Sequence, residues 1–304
     1  MYHKNESIYQ HLKKPMVLQR ALTEKIEFET QPMSNQYVYC VGNINAKFPT
    51  LNLEKELNQN SIMSSNPLPM LENVNDNIAL ARLNRNTQLY QALFKGLSQP
   101  QNNYIARAMD WVLDNRFNEQ QYKLILTNDE LLTQCISALG RNESSTDGQV
   151  VVIGVASGAY EMHVTAIMPT AVMPYGQVCH GEKSTNTHFT QLVGEITALD
   201  SSAGNTDNTR ALNFVLYNNV DVYNHSYKLY YNSSSDGPNP SGYQLLSVDT
   251  DMLNSGDRIV VNVIFKYQGI NTGALQYWYC RVDVTGEYPF IVQPWQQYLL
   301  SDNL

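Results

Sequence analysis

The sequence predicts an α+β fold with a mixed or antiparallel sheet, flanking helices and a C-terminal β-hairpin. Residues 258–292 contain two β-branched and aromatic runs that alternate with polar residues across a Gly-Ile-Asn-Thr-Gly turn, the pattern of a long antiparallel hairpin. Residues 150–154 are fully apolar, as in an interior strand. Residues 78–97 instead carry leucines at helical spacing. Strands towards both ends with helices between them indicate the α+β class.

The N-terminal elements follow from capping and composition. Residues 1–33 are predicted to form an arm or a short helix before one domain over residues 34–304. The first predicted strand is Tyr37–Gly42. Thr50 is predicted to cap the helix that follows this strand. Residues 58–77 are rich in Asn, Ser and Pro and are predicted to be an exposed loop.

In the middle of the chain, short helices and strands alternate. Residues 103–112 are predicted to be a short helix and residues 122–127 a strand. A helix over residues 129–139 is predicted to end at Gly140. Residues 166–178 are interrupted by prolines, which predicts an edge-like or irregular strand pair.

The segment before the hairpin is predicted to be mainly helical. Residues 189–199 are predicted to be a helix, and the polar turn at residues 205–209 is predicted to cap a second helix over residues 210–217. Residues 223–231 are aromatic-rich and fit a helix or a strand equally well. Gly and Pro at turn spacing predict a loop over residues 233–242.

Composition argues against two classes of partner. The 20 Lys and Arg against 28 Asp and Glu give a net charge of -8, which disfavours a nucleic-acid or anionic-membrane surface. No segment approaches the roughly 18–20 apolar residues of a membrane helix. The first 20 residues are polar and lack the apolar core of a secretory signal. With four isolated cysteines and no CxxC pair, the sequence predicts a cytoplasmic chain with reduced thiols.

One group of residues has the chemistry of a metal site. His163, Cys179 and His180, with Glu161 nearby, offer nitrogen, sulfur and oxygen ligands that suit zinc. Their spacing fits no standard zinc signature. The alternative is one hydrogen-bonded histidine and a surface Cys-His pair, and both interpretations stay open.

No catalytic motif accompanies these residues. Gly154-Val-Ala-Ser-Gly158 fails the GxSxG pattern of a nucleophile elbow, and neither a Walker nor a Rossmann sequence is present. Asp249 and Asp251 are predicted to be solvated loop carboxylates. Whether the chain is an enzyme stays open, with a non-catalytic role favoured.

Aromatic residues crowd the hairpin, and Tyr277, Trp278, Tyr279, Arg281 and Asp283 are the predicted binding residues. Alternation directs Tyr277 and Tyr279 to one face of the sheet and Trp278 to the other. Exposed aromatic side chains suit protein or peptide contacts. The alternatives are that helices cover both faces, and that Arg281 and Asp283 only form cross-strand ion pairs.

A series of sequence blocks resembles one known family. The blocks occur in the same order as in that family: the chain resembles the C-terminal domain of unknown function of cyanobactin macrocyclases and proteases of the PatG and PatA type. The resemblance covers residues 37–298, and its blocks include Tyr37–Pro49, Gln99–Arg107, Arg210–Phe214, Val261–Phe265 and Tyr279–Phe290.

The resemblance implies a role in ribosomal peptide maturation. Family members carry this domain beside subtilisin-like proteases, and no reaction is assigned to the domain itself. It implies a non-catalytic accessory or scaffolding module that binds a precursor peptide or a maturation enzyme. The homodimer is predicted from the aromatic hairpin. The alternatives are a zinc-dependent enzyme acting on a modified peptide and a purely structural assembly domain. At His163 the family more often has cysteine, so this position keeps a metal-ligand type.

Overall fold

A five-stranded barrel forms the first half of the fold. In the computed structural model its strands are β1 (Tyr37–Lys47), β2 (Asp110–Asp114), β3 (Gln120–Ile125), β4 (Val150–Ala156) and β5 (Glu161–Pro169). The structure describes residues 36–63, 89–115, 117–141, 149–171, 186–199, 203–231 and 242–298.

The barrel closes in the strand order β1-β2-β3-β5-β4. Neighbouring strands are antiparallel, except that β3 and β5 run parallel. Helix α4 (Asp129–Arg141) connects β3 to β4. This strand order, with one helix after the third strand, is the topology of the OB fold, a small barrel whose interior is filled by side chains.

Strand β1 serves two hydrophobic cores because successive side chains point to opposite faces. Val38 and Cys40 belong to the barrel core, whereas Tyr39 and Val41 belong to the core beneath the C-terminal sheet. All four are at most 3% exposed, so this strand joins the two halves of the fold.

Helices cover the barrel. They are α1 (Leu51–Met63), α2 (residues 89–97), α3 (Asn103–Ala108) and α4. Their buried leucines complete the barrel core, and each of these is at most 4% exposed: Leu57, Leu93, Leu97, Leu131 and Leu139. Full burial of one such side chain contributes roughly 1.5–3 kcal/mol.

The C-terminal half is an antiparallel sheet in the order β6-β7-β8-β9. Its strands are β6 (Tyr243–Ser255), β7 (Arg258–Gly269), β8 (Leu275–Asp283) and β9 (Phe290–Gln297). The helices of this half are α5 (Asn186–Thr197), α6 (Asp207–Asn218) and α7 (Val220–Tyr231). The side chains between sheet and helices are fully buried at Val261, Val263, Phe265, Cys280 and Val282.

A buried arginine ties helix α6 to the turn between β8 and β9. Arg210 is 2% exposed, and its Nη1 donates to the carbonyl oxygen of Val284 at 2.8 Å. Its Nη2 donates to the carbonyl oxygens of Gly286 and, at 3.2 Å, Glu287. Burial lowers the pKa of this guanidinium, and Asp207 at 3.2 Å opposes that shift.

The α+β class and the C-terminal antiparallel hairpin predicted from the sequence are confirmed. The first strand is longer than predicted and extends to Lys47. Within the predicted polar turn, Thr206 caps α6 and forms a reciprocal capping box with Thr209. The aromatic-rich segment that fitted helix or strand is helical, as α7.

Four local predictions were wrong. Residues 58–63, predicted to begin a loop, belong to helix α1. Trp111 lies in strand β2 and not in a helix, because its side chain, 3% exposed, fills the barrel core.

Gly140 lies inside α4 and does not end it; a Cβ there would lie 3.0 Å from the ring of Phe94, so this ring packs closely against the glycine. Asp249 and Asp251 are on strand β6 and not in a loop.

Some predictions fall where the structure gives no description. The predicted arm over residues 1–33, most of the predicted loop over residues 58–77 and the first part of the predicted helix over residues 78–97 lie outside the described residues. The single domain over residues 34–304 stays a prediction. Within the described ranges, no helix combines the length and apolar character needed to cross a membrane.

Candidate functional site

We call the side of the C-terminal sheet that turns away from α5–α7 the outer face. Strand register places Lys266 opposite Tyr277, Ile264 opposite Tyr279 and Asn262 opposite Arg281. The central residues of the outer face are Asn262, Ile264 and Lys266 on β7 and Tyr277, Tyr279, Arg281 and Asp283 on β8. The edge strand β6 adds the exposed Asp249 and Asp251, which pair with Ile264 and Asn262.

Two cations on the outer face each lie over a tyrosine ring. Lys266 Nζ is 5.8 Å from the ring centroid of Tyr277. Arg281 Cζ is 5.6 Å from the ring centroid of Tyr279. Neither cation forms an ion pair with a carboxylate in the described part of the chain. Cation–π contact at such a half-exposed site is worth about 0.5–1 kcal/mol, which leaves both charges able to bind an anion.

A buried amide holds the guanidinium of Arg281 in place. Arg281 Nε donates to Asn262 Oδ1 at 2.9 Å, and Asn262 is only 4% exposed. Asn262 Nδ2 in turn lies 3.5 Å from Asp251 Oδ2, a long contact that orients the amide. Within the described residues only Nε forms a hydrogen bond, so the two Nη groups remain able to donate to a carboxylate.

The tyrosine beneath Arg281 is fixed by strand β9 and the residue after it. Tyr279 is 7% exposed, and its hydroxyl accepts a hydrogen bond from Gln296 Nε2 at 2.7 Å. The ring of Tyr298 meets it edge-on, with the centroids 5.1 Å apart. Tyr277 is less buried and lies beside Lys266. The aromatic surface therefore has one rigid and one more accessible ring.

Trp278 lies on the opposite side of the sheet, as alternation predicts. Its ring packs on His225 of α7 at 3.8 Å and stacks with Trp295 at 6.2 Å between centroids. Burial, and secondarily Lys228, lowers the pKa of His225. The structure thus separates Trp278 from the other four predicted binding residues and places it in the core.

Asp283, the last residue of β8, has a structural role. It is 2% exposed, its Oδ1 accepts a hydrogen bond from the backbone N–H of Thr285 at 2.9 Å, and its Oδ2 lies 3.8 Å from Arg258 Nη1. The cross-strand ion pair weighed for Arg281 and Asp283 therefore involves Asp283 and Arg258. Of Arg281 and Asp283, only Arg281 has a charge that remains available to a ligand.

The predicted metal ligands are not brought together in the described structure. His163 is exposed on β5, on the outside of the barrel. Cys179 and His180 lie outside the described residues. Among the residues that the structure does describe, no three His, Cys, Asp or Glu side chains cluster as a metal site would require. The zinc site stays a prediction.

Two residues of the outer face were missed by sequence reasoning. Lys266 and Asn262 lie on β7, opposite Tyr277 and Arg281 of β8. The signal that identifies them is the hairpin register: counting back across the Gly-Ile-Asn-Thr-Gly turn pairs each β8 residue with one β7 residue. Without knowledge of the turn geometry, the pairing of β7 with β8 could be shifted by one or two residues.

The fold defines the class of the protein, which is α+β. It combines a closed barrel with an open antiparallel sheet, and strand β1 of the barrel contributes side chains to both hydrophobic cores. Two family models match it in succession, "PatG Domain" over residues 37–168 and "PatG C-terminal" over residues 180–298. The chain therefore belongs to the PatG-type domains of unknown function, a cyanobactin-related family.

A solved structure supports the same fold. The "PatG Domain of Unknown Function" is similar to this chain with a TM-score of 0.59 and 14% sequence identity, over 87% of this chain and 99% of that chain. At this identity the likeness concerns the fold alone. No curated protein matched the sequence.

Proposed function

We propose that this chain is a non-catalytic binding module of a cyanobactin-like peptide maturation pathway, and that its outer face engages a precursor peptide. The observation that carries the proposal is the pair of cations over tyrosine rings, Lys266 on Tyr277 and Arg281 on Tyr279, with no carboxylate partner among the described residues. Charge and rigid aromatic surface are what reversible recognition of a peptide requires.

The shape of the outer face favours a peptide over a folded enzyme. Its charged and aromatic residues follow strands β7 and β8 in rows, with side chains repeating about every 6.6 Å on one face. An extended peptide has the same repeat and can align with such rows. A maturation enzyme is the other partner class, and the homodimer and the cytoplasmic location belong to the same proposal.

The test is binding of a fluorescently labelled cyanobactin precursor peptide, followed by anisotropy. We expect a Kd at or below about 100 μM, which corresponds to about 5 kcal/mol. Tyr277→Ala is expected to raise the Kd at least about tenfold, as for a residue at the centre of an interface. Tyr160→Ala, which removes a 70% exposed tyrosine from the barrel, is the matched control and is expected to bind normally.

Two results would contradict the proposal. One is a wild-type chain that does not bind the precursor peptide at about 100 μM. The other is equal loss of binding in the Tyr277 and Tyr160 variants, which would show that the outer face is not the binding surface. Sedimentation of the free chain at the same concentrations measures whether it is a homodimer.

A further inference from the structure

The two cations of the outer face, which have no carboxylate partner in the described ranges, are separated by a defined length of strand. Lys266 and Asn262 are four residues apart on β7, and Arg281 lies directly opposite Asn262 on β8. At about 3.3 Å per residue, the two levels are roughly 13 Å apart along the strands. Tyr277 lies at the level of Lys266, and Tyr279, opposite Ile264, lies midway between the two levels.

An extended peptide matches this spacing. Its side chains alternate between faces, so residues i, i+2 and i+4 point the same way, and residues i and i+4 are roughly 13 Å apart. A peptide lying along β7 and β8 can therefore bring one carboxylate to Lys266 and another to Arg281. The side chain between them then lies at the level of Ile264 and Tyr279.

The arrangement around Arg281 favours a carboxylate as its partner. Because Asn262 engages Nε at 2.9 Å and no other hydrogen bond of Arg281 occurs among the described residues, its two Nη groups can donate to the two oxygens of one carboxylate. The exposed Asp249 and Asp251 on the neighbouring edge strand repel an acidic ligand from that side. The cations of β7 and β8 attract an acidic peptide, and the carboxylates of β6 repel it. The peptide is therefore confined to the surface along β7 and β8.

We propose that the outer face recognises an extended peptide segment with two acidic side chains four residues apart and an apolar residue midway between them. This inference rests on the proposed function and names the chemistry of the peptide that it binds. In a chain of net charge -8, the two cations provide a local attraction for acidic side chains on this face.

Three labelled nonapeptides test the inference with the full chain. The first has two glutamates four positions apart around a leucine in a Ser/Gly/Thr background, the second has glutamines in their place, and the third has the two glutamates adjacent. We expect the first to bind at least about tenfold more tightly than the second and more tightly than the third. Raising the salt from about 50 to 500 mM is expected to reduce that preference, since exposed charges are screened.

Variants assign the preference to the two cations. Lys266→Ala and Arg281→Ala are each expected to weaken binding of the first peptide several-fold, and the double variant is expected to bind the glutamate and glutamine peptides equally. Arg281→Lys is expected to recover part of the loss, since it keeps the charge without the fork. Arg107→Ala removes an exposed cation from the barrel and is expected to bind like the wild type.

The outcomes separate this inference from the function on which it rests. Binding of the precursor peptide that is lost in Tyr277→Ala, with no preference for glutamate over glutamine, would overturn the acidic-peptide inference alone. A glutamate preference that persists in the double variant would also overturn it. Binding of the first nonapeptide without binding of the precursor peptide would support the inference and overturn the proposed function.

Discussion

Two exposed cations of the barrel half and two cations of the sheet half have different partners. In the barrel half, Arg107 pairs with Asp129 at 2.7 Å and Lys123 pairs with Asp110 at 2.8 Å. In the sheet half, Lys266 and Arg281 lie over tyrosine rings without a carboxylate partner among the described residues. The charges of the first two are neutralised locally, whereas those of Lys266 and Arg281 remain available to an anion.

This difference distinguishes cations that are already satisfied from cations that can still bind a ligand. An exposed ion pair contributes at most about 1 kcal/mol and already satisfies both partners. A cation over an aromatic ring keeps its capacity for an anion, and the ring adds area at little entropic cost. The OB-fold topology of the barrel would point first to the barrel as the binding half, but a fold does not fix its site. The side-chain chemistry favours the sheet.

The largest contrast between the halves is expected for two arginines. Arg210→Ala removes the donors of three turn carbonyls, and each carbonyl left unsatisfied costs about 1–3 kcal/mol, so we expect the free energy of unfolding to fall by roughly 3–5 kcal/mol. Arg107→Ala breaks an exposed pair and is expected to cost below about 1 kcal/mol. Urea denaturation of both variants measures the difference. Similar losses would show that Arg210 is not the tie between α6 and the turn.

A second contrast concerns two glycines. A Cβ at Gly154 would lie 2.1 Å from the carbonyl oxygen of His163, in the paired strands β4 and β5 of the barrel. We expect Gly154→Ala to destabilise the fold by roughly 1–3 kcal/mol, because backbone must move to admit the methyl group. Gly194 on α5 has open space around it.

The matched variant Gly194→Ala is expected to have the opposite sign. Alanine is favoured over glycine inside a helix by about 1 kcal/mol, so the midpoint of thermal unfolding is expected to rise. A stable Gly154→Ala variant would mean that the barrel is looser at this strand pair than its register indicates. Differential scanning of both variants under one set of conditions gives the comparison.

The sequence predicted the sheet half better than the barrel. The hairpin is readable because its strands are joined by a short turn and alternate in polarity over their full length. The barrel pairs Tyr39 of β1 with Ile153 of β4, more than a hundred residues away, and local patterns carry no information on such pairing. For the same reason Trp111 was assigned to a helix, since its burial depends on distant strands.

The candidate site was predictable to the same extent. Alternation along β8 separated Tyr277 and Tyr279 from Trp278 without any tertiary information. It did not reveal Lys266, whose position beside Tyr277 depends on the hairpin register, or the role of Asn262, which depends on three strands lying side by side. The zinc ligands stay a prediction, because two of the three fall outside the described residues.

The smallest contrast is expected from two histidines as the pH falls. Burial lowers the pKa of His225 in the folded chain, so the unfolded chain takes up the proton first as pH drops below about 6.5. The contribution of neutral His225 to the free energy of unfolding is therefore fully present above that pH and is lost as the solution becomes more acidic. His225→Phe keeps a ring against Trp278 and removes the titrating group, so we expect a flatter decline in stability between about pH 7 and 5.

His163→Gln, at an exposed position on the barrel, is the control and is expected to keep the wild-type decline. The urea unfolding midpoint of each variant, measured across this pH range, tests the prediction. If the midpoint of His225→Phe falls with pH as steeply as that of the wild type, another group causes the acid sensitivity.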